Sequence, residues 1–342
     1  MEPNNQFFTP TPPVQPGHPY FDPEGYKEKL SVRKVGNAVG LPLCMVNVGS
    51  FVLQTVIIVA MMMVAGFSNT QAMLADSDVL YLINAVINLV IFTVPFVITA
   101  SACKHRLGDL ILFGKTSRTK SLAVVMLGMG VCIISNIGTA MFSSIINAIF
   151  HVLPSANMPD YNYNIGSFIL VVLCIGILPA LLEEFAFRGV VLGILRTKLG
   201  DGASIIISAA FFGLVHGNFQ QVPFAFGVGL VLGYATVYTG SMLPAILIHA
   251  INNTVSVVLD YATSTMSPMV QAAVTYLYFA VMLLIGICGF IILVKTDVAP
   301  FRLSAERTEN GKRDVKWLLT SPAVIIYITM CLVMSVAALF IA

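Results

Sequence analysis

What most constrains this chain is a series of apolar runs, each long enough to cross a lipid bilayer, separated by short polar connections. A hydrocarbon core about 30 Å thick takes roughly 20 residues of helix to span. Nine segments fit, near 38–66, 78–102, 121–150, 166–188, 203–217, 222–239, 241–259, 271–294 and 321–341. The fifth is the shortest of them, and the break "GNFQQVP" that follows it fits a re-entrant turn. Only helices and closed barrels satisfy backbone polar groups inside hydrocarbon, and runs this long and unbroken exclude barrel strands. The expected fold class is therefore an all-α polytopic membrane protein of about nine transmembrane helices. Composition agrees, with 57% hydrophobic and 10% charged residues and a mean hydropathy of +0.89.

The placement of Lys and Arg tests the span count independently. With the N-terminus in the cytosol, Lys27, Lys29, Arg33 and Lys34 lie inside, as do Lys104, Arg106, Lys115, Arg118 and Lys120. Arg196 and Lys198 follow the fourth span, and Lys295, Arg302, Arg307, Lys312, Arg313 and Lys316 fill the loop before the last. The opposite connections, 67–77, 151–165, 218–222 and 260–270, hold no Lys or Arg. A wrong count would scramble that alternation. The pattern, with no secretory leader, fits a bacterial plasma membrane and a cytosolic N-terminus.

Residues 1–35 carry seven of the seventeen prolines and no apolar run, so they read as a disordered cytosolic tail. The six cysteines lie within or beside apolar runs, which points to buried thiols rather than a disulfide framework. Gly229 and Gly233 in "GVGLVLG" form a close-packing face. The stretch 302–316 mixes both signs of charge and reads as a solvated connector.

Against this background a few embedded polar residues stand out: Glu183, Glu184, Arg188, His216, His249, Asn252 and Asn253. An ionisable side chain at the middle of a span costs about 2.5–3.5 kcal/mol on insertion scales, so such residues need partners or a task. On a helix Glu184 and Arg188, four apart, share a face and pair. Glu183 points about 100° away and lacks that partner, which leaves it to handle a proton as a general base for water. The same residues also fit a bland reading in which both acids and Arg188 snorkel to the cytosolic interface. His216 follows Phe212 by four residues, and Asn253 follows His249 by four, so each pair lies on one face beside small or polar neighbours. At 1.5 Å per residue His216 lies deeper than the acids unless its helix starts below the membrane surface, with Ser204 or Asp201 as the cap.

EExxxR at 183–188, FxxxH at 212–216 and HxxxN at 249–253, in that order on consecutive membrane segments, resemble the CPBP family of intramembrane proteases. That family includes CAAX prenyl endopeptidases and bacteriocin-processing or immunity proteins. The resemblance covers about residues 165–260. It implies that Glu183 and His216 activate water, that His249 and Asn253 hold the developing oxyanion, and that Glu184 and Arg188 support them. The implied reaction is hydrolysis of a peptide bond in a membrane or lipid-associated substrate. A zinc ion held by Glu183, His216 and His249 is a second reading of the same residues. The absence of HExxH, and the engagement of Glu184 by Arg188, favour a mechanism without cofactor.

The resulting domain plan is a tail at 1–35, N-terminal transmembrane helices at 36–160, a catalytic core at 161–262 and C-terminal transmembrane helices at 263–342. The expected partners are the lipid bilayer and a peptide or membrane-protein substrate, with no nucleic acid. A catalytically silent scaffold or bacteriocin-immunity factor is the competing function. A proton-coupled transporter fits less well, because no internal repeat is visible.

Overall fold

In a computed structural model, which describes residues 23–150, 162–297, 301–303 and 310–341, the apolar runs become helices and no strand forms among the described residues. In chain order they are α1 (Pro23–Ala65), α2 (Phe67–Leu74), α3 (Ser77–Ile91), α4 (Val94–Ala102), α5 (Leu107–Leu110) and α6 (Arg118–Phe150). There follow α7 (Ile165–Arg196), α8 (Asp201–Leu214), α9 (Val222–Thr239), α10 (Leu243–Thr263), α11 (Pro268–Thr296), α12 (Gly311–Leu319) and α13 (Pro322–Ile341).

Among the described residues eight helical stretches are long and apolar enough to cross a membrane: α1, α3 with α4, α6, α7, α9, α10, α11 and α13. The second breaks at Phe92 and Thr93 and resumes with Pro95 in the first turn of α4. Where the sequence gives its shortest span, the structure has the 14-residue α8. At 1.5 Å per residue that is about 21 Å, too short to cross alone. A tight turn through 215–221 joins α8 to α9, and the two pack side by side. Gly229 makes that approach close: a Cβ there would lie 3.0 Å from Ala209 Cα. The Gly229 and Gly233 face does pack, with Gly233 against Ile205 of α8.

Large apolar side chains cover the outside of the bundle, with Val64 90%, Met269 83% and Met63 77% exposed. Apolar faces of that extent require lipid rather than water beside them. The protein is therefore an integral membrane protein.

Several sequence expectations change here. The irregular tail does not extend to residue 35: α1 begins at Pro23, and Val32 is buried. Its earlier part, 1–22, lies outside the described residues. Within the expected solvated connector, residues 311–319 form α12, whose Asp314 and Leu318 are buried against the N-terminal part of α1. Arg313 pairs with Glu28 of α1, and the Arg33 guanidinium donates to the Thr320 carbonyl. All six cysteines are free, as expected. Cys132 and Cys331 are buried, but Cys288 faces outward from α11 and is not a buried thiol.

Candidate active site

The two acids sit on α7, and their placement comes from an irregularity in that helix. Pro179 has no N–H to donate to the carbonyl four residues back, and the turn before it, Val172–Ile177, is π-helical. A second π-helical turn, Phe185–Val191, follows directly after Glu184. Between them lies the short α-helical stretch Leu178–Glu184, ending on the paired carboxylates. π turns leave backbone carbonyls poorly matched along the helix. One of these, on Phe187, is met by the buried Ser208 hydroxyl of α8, which donates to it at 3.2 Å.

Glu184 and Arg188 form the expected pair. Arg188 Nη1 donates to Glu184 Oε1 at 2.8 Å, and both side chains are fully enclosed. That excludes the interfacial reading, in which these groups would reach water. Arg188 Nη2 donates to the carbonyl of Gly229 on α9 at 3.2 Å, and its guanidinium lies 4.3 Å from the centre of the Phe212 ring. Sequence reasoning assigned Gly229 to packing alone. Its second task, presenting a carbonyl to the arginine, follows from the same missing side chain but needs the neighbouring helix to be seen.

His249 comes from α10. Its Nδ1 lies 2.8 Å from the same Glu184 oxygen that Arg188 engages, while its Nε2 lies 3.9 Å from Glu183 Oε2. The ring stands between the two carboxylates. Gly176, in the first π turn, admits α10 this close to α7, since a Cβ there would lie 2.6 Å from Thr254 Oγ1. One helical turn beyond His249, Asn253 accepts a hydrogen bond from Asn252 Nδ2 at 3.2 Å, and Asn252 is buried.

His216 lies just beyond the last residue of α8. Its Nδ1 is 2.9 Å from the carbonyl of Phe212. A carbonyl only accepts, so Nδ1 carries a proton, and in the neutral ring Nε2 is the bare nitrogen. The Phe212 ring joins the two histidines, edge-on to His216 at 5.2 Å and to His249 at 5.8 Å, with Phe187 behind it at 5.1 Å. The end of α8 therefore reaches the level of Glu184 and Arg188. The expected cap is not the reason: Gly200 occupies the cap position without a side-chain bond. Asp201 is the first helical residue, its carboxylate held by Arg196 Nε at 2.7 Å, and Ser204 points its hydroxyl to the Leu199 carbonyl.

The structure thus brings Glu183, Glu184, Arg188 and His249 into one connected set, and ties His216 to it through Phe212. A zinc set of Glu183, His216 and His249 is not assembled: among the described residues no three His, Cys, Asp or Glu side chains are grouped to hold an ion. Glu184 Oε2 is buried without a protein partner, and Arg188 Nε likewise.

Comparison with known proteins points the same way as the geometry. Residues 165–255 match the model of the type II CAAX prenyl endopeptidase Rce1-like family. The membrane-embedded CAAX protease MroQ of Staphylococcus aureus (strain USA300) is 34% identical over 85 residues, 23% of this chain. The chain spans only about a third of the length of that curated relative, 34%. No solved structure matches. The matched stretch contains α7, α8 and α9 whole and α10 as far as residue 255, with all seven motif residues among them. On these grounds the chain is a polytopic membrane protein whose segment 165–255 is similar to the type II CAAX prenyl endopeptidases of the Rce1-like family.

Proposed function

We propose that the protein is an intramembrane endopeptidase that hydrolyses a peptide bond with water activated by Glu183. The observation that carries this reading is His249 lying between the two acids, Nδ1 on Glu184 and Nε2 toward Glu183. Glu183 takes a proton from water held beside His216 Nε2, and the hydroxide adds to the substrate carbonyl carbon, moving the π electrons onto oxygen. With Nδ1 donating to Glu184, neutral His249 offers a bare Nε2, which accepts the proton from Glu183. The resulting imidazolium is balanced by the Glu184 carboxylate, and its new N–H together with the Asn253 amide faces the oxyanion. Collapse of the tetrahedral intermediate breaks the C–N bond, and the proton leaves on the amine. Arg188 holds Glu184 in place throughout and touches no reacting atom.

The reaction as written uses no cofactor. Activity is expected to survive chelators; a loss restored by added zinc replaces this mechanism with a metal-dependent one. The substrate class is a membrane or lipid-associated peptide. The N-terminus is placed in the cytosol of a bacterial plasma membrane on the charge alternation. Residues 23–35 and α12, both basic, meet at one end of the bundle through Arg313 and Glu28, which supports that orientation.

The deciding experiment compares membrane-fraction proteomes of cells carrying the wild type and Glu183→Gln. A precursor is expected to accumulate with the variant. Unimpaired processing with Glu183→Gln, and an unchanged phenotype with His216→Ala and His249→Ala, would identify a silent scaffold or immunity factor instead.

A further inference from the structure

The family match ends at residue 255, yet the last helix returns to the end of α8. Tyr327 of α13 is fully buried, and its hydroxyl donates to the carbonyl of Phe211 at 2.6 Å. Its ring stands edge-on to that of Phe211, with centroids 5.5 Å apart and planes at 88°. The Phe211 carbonyl also accepts the Val215 N–H at 3.0 Å, and the very next carbonyl, on Phe212, accepts from His216. The Phe211 carbonyl thus keeps its helical partner, whereas the Phe212 carbonyl has lost its own, because the His216 N–H turns to Gly213; such end groups fray unless something else holds them. Two turns along the same face of α13, Met334 covers the other side of the turn. Gly217 has a φ of +64°, and a Cβ on it would lie 3.2 Å from Met334 Cε. Tyr327 therefore bonds the chain before His216, and Met334 lies beside it after His216.

We propose that Tyr327 is a positioning residue for His216, so that the working site extends into the last helix, outside the family segment. The inference rests on the reading of His216 as part of the catalytic set. His216 lies beyond the last helical residue of α8, and its own backbone N–H makes only a 3.3 Å bond to Gly213. Its ring direction depends on where the Phe212 carbonyl points, and Tyr327 anchors that carbonyl's neighbour. Misplacing a reacting group by about 1 Å can cost on the order of 10²-fold in rate, so a small release at this helix end reaches the chemistry.

The test uses the full chain in nanodiscs, labelled with ¹⁵N-histidine, with His216 assigned by the loss of its signals in His216→Gln. In the wild type the protonated Nδ1 and the bare Nε2 give two well-separated nitrogen resonances. In Tyr327→Phe, which keeps the ring and removes only the hydroxyl, the separation is expected to shrink as the two tautomers exchange. Turnover of the precursor that accumulates with Glu183→Gln is expected to fall about 10-fold, within the range that misplacement produces, with little change in KM. Met334→Ala is expected to shift the same resonances in the same direction, and it carries the test if Tyr327→Phe does not fold. Unchanged His216 nitrogens in either folded variant overturn the proposal, as do shifted nitrogens with unchanged turnover. If no precursor accumulates with Glu183→Gln, the enzymatic reading fails by itself, and the nitrogen resonances alone decide whether α13 sets the imidazole.

Discussion

Replacing Arg188 with Met removes the cation from the most enclosed ion pair among the described residues, and its effect can be sized from the contacts. Arg188 and Glu184 meet at 2.8 Å with side chains 1% and 0% exposed, so neither can turn to solvent when the other is lost. Breaking such a buried pair from one side costs about 3–5 kcal/mol, because the remaining charge is left uncompensated. The Gly229 carbonyl also loses its donor, worth about 1 kcal/mol, and Phe212 loses a cation over its face, about 2 kcal/mol when desolvated. These terms share one side chain and do not add; the pair term sets the scale. Against total stabilities of about 5–15 kcal/mol, the variant is expected to lose about a fifth or more. Arg188→Lys should fall between, since a point charge cannot serve Glu184 and Gly229 as a planar fork does. Glu184→Leu combined with Arg188→Leu should be more stable than Arg188→Leu alone, because it removes both charges. Unfolding in mixed micelles of increasing denaturing detergent, read by thiol-dye labelling of buried Cys132 and Cys331 with Cys288 replaced, gives the free energies. An Arg188→Met protein within about 1 kcal/mol of the wild type, or a double variant weaker than the single, refutes the reasoning.

The adjacent acids should separate by the same assay: Glu183→Gln, at a side chain 14% exposed with no arginine partner, is expected to leave unfolding unchanged within about 0.5 kcal/mol while abolishing processing. Glu184→Leu should lose stability as well as activity. Gly229→Val would set a Cβ 3.0 Å from both Ala209 Cα and Ala209 Cβ, and the overpacking should cost about 1–3 kcal/mol, seen as an earlier labelling transition. A membrane-permeant maleimide is expected to modify Cys288 in the folded protein, and Cys132 and Cys331 only after unfolding, as mass spectrometry of labelled peptides would show.

The sequence was informative wherever one helix carried the whole argument. Glu184 and Arg188 are four apart, so their pairing follows from helical spacing alone, and the lone position of Glu183 follows with it. The spans were readable because lipid demands long apolar runs, but the shortest run, counted as one of nine, forms only the 14-residue α8, and eight stretches among the described residues reach spanning length. What the sequence hid was contact between helices. Nothing local says that His249 turns Nδ1 to Glu184 rather than presenting the ring only to substrate, or that Tyr327 of a uniformly apolar span reaches Phe211. The π turns were also invisible, since Pro179 marks only one of them and the other follows Glu184 without a breaker. Residues 311–319 were misread because their apolar residues, Val315, Trp317, Leu318 and Leu319, follow the charged run Lys312, Arg313 and Asp314, and only the docking surface on α1 makes Val315, Trp317 and Leu318 a packed face.

The widened turn after Glu184 makes the length of α7 matter more than its regularity. Deleting one residue between Phe185 and Val191 would permit an ordinary α-helix with better-formed backbone bonds. Because a π turn absorbs one extra residue, the helix beyond Val191 would keep roughly its present facing, but a cut between Glu184 and Arg188 would shorten their spacing from four residues to three and disturb the carbonyl that the Ser208 hydroxyl now meets. Here the looser winding is a spacer inside one turn, and a tidier helix would keep its outer faces while resetting the distance between the acid and its cation.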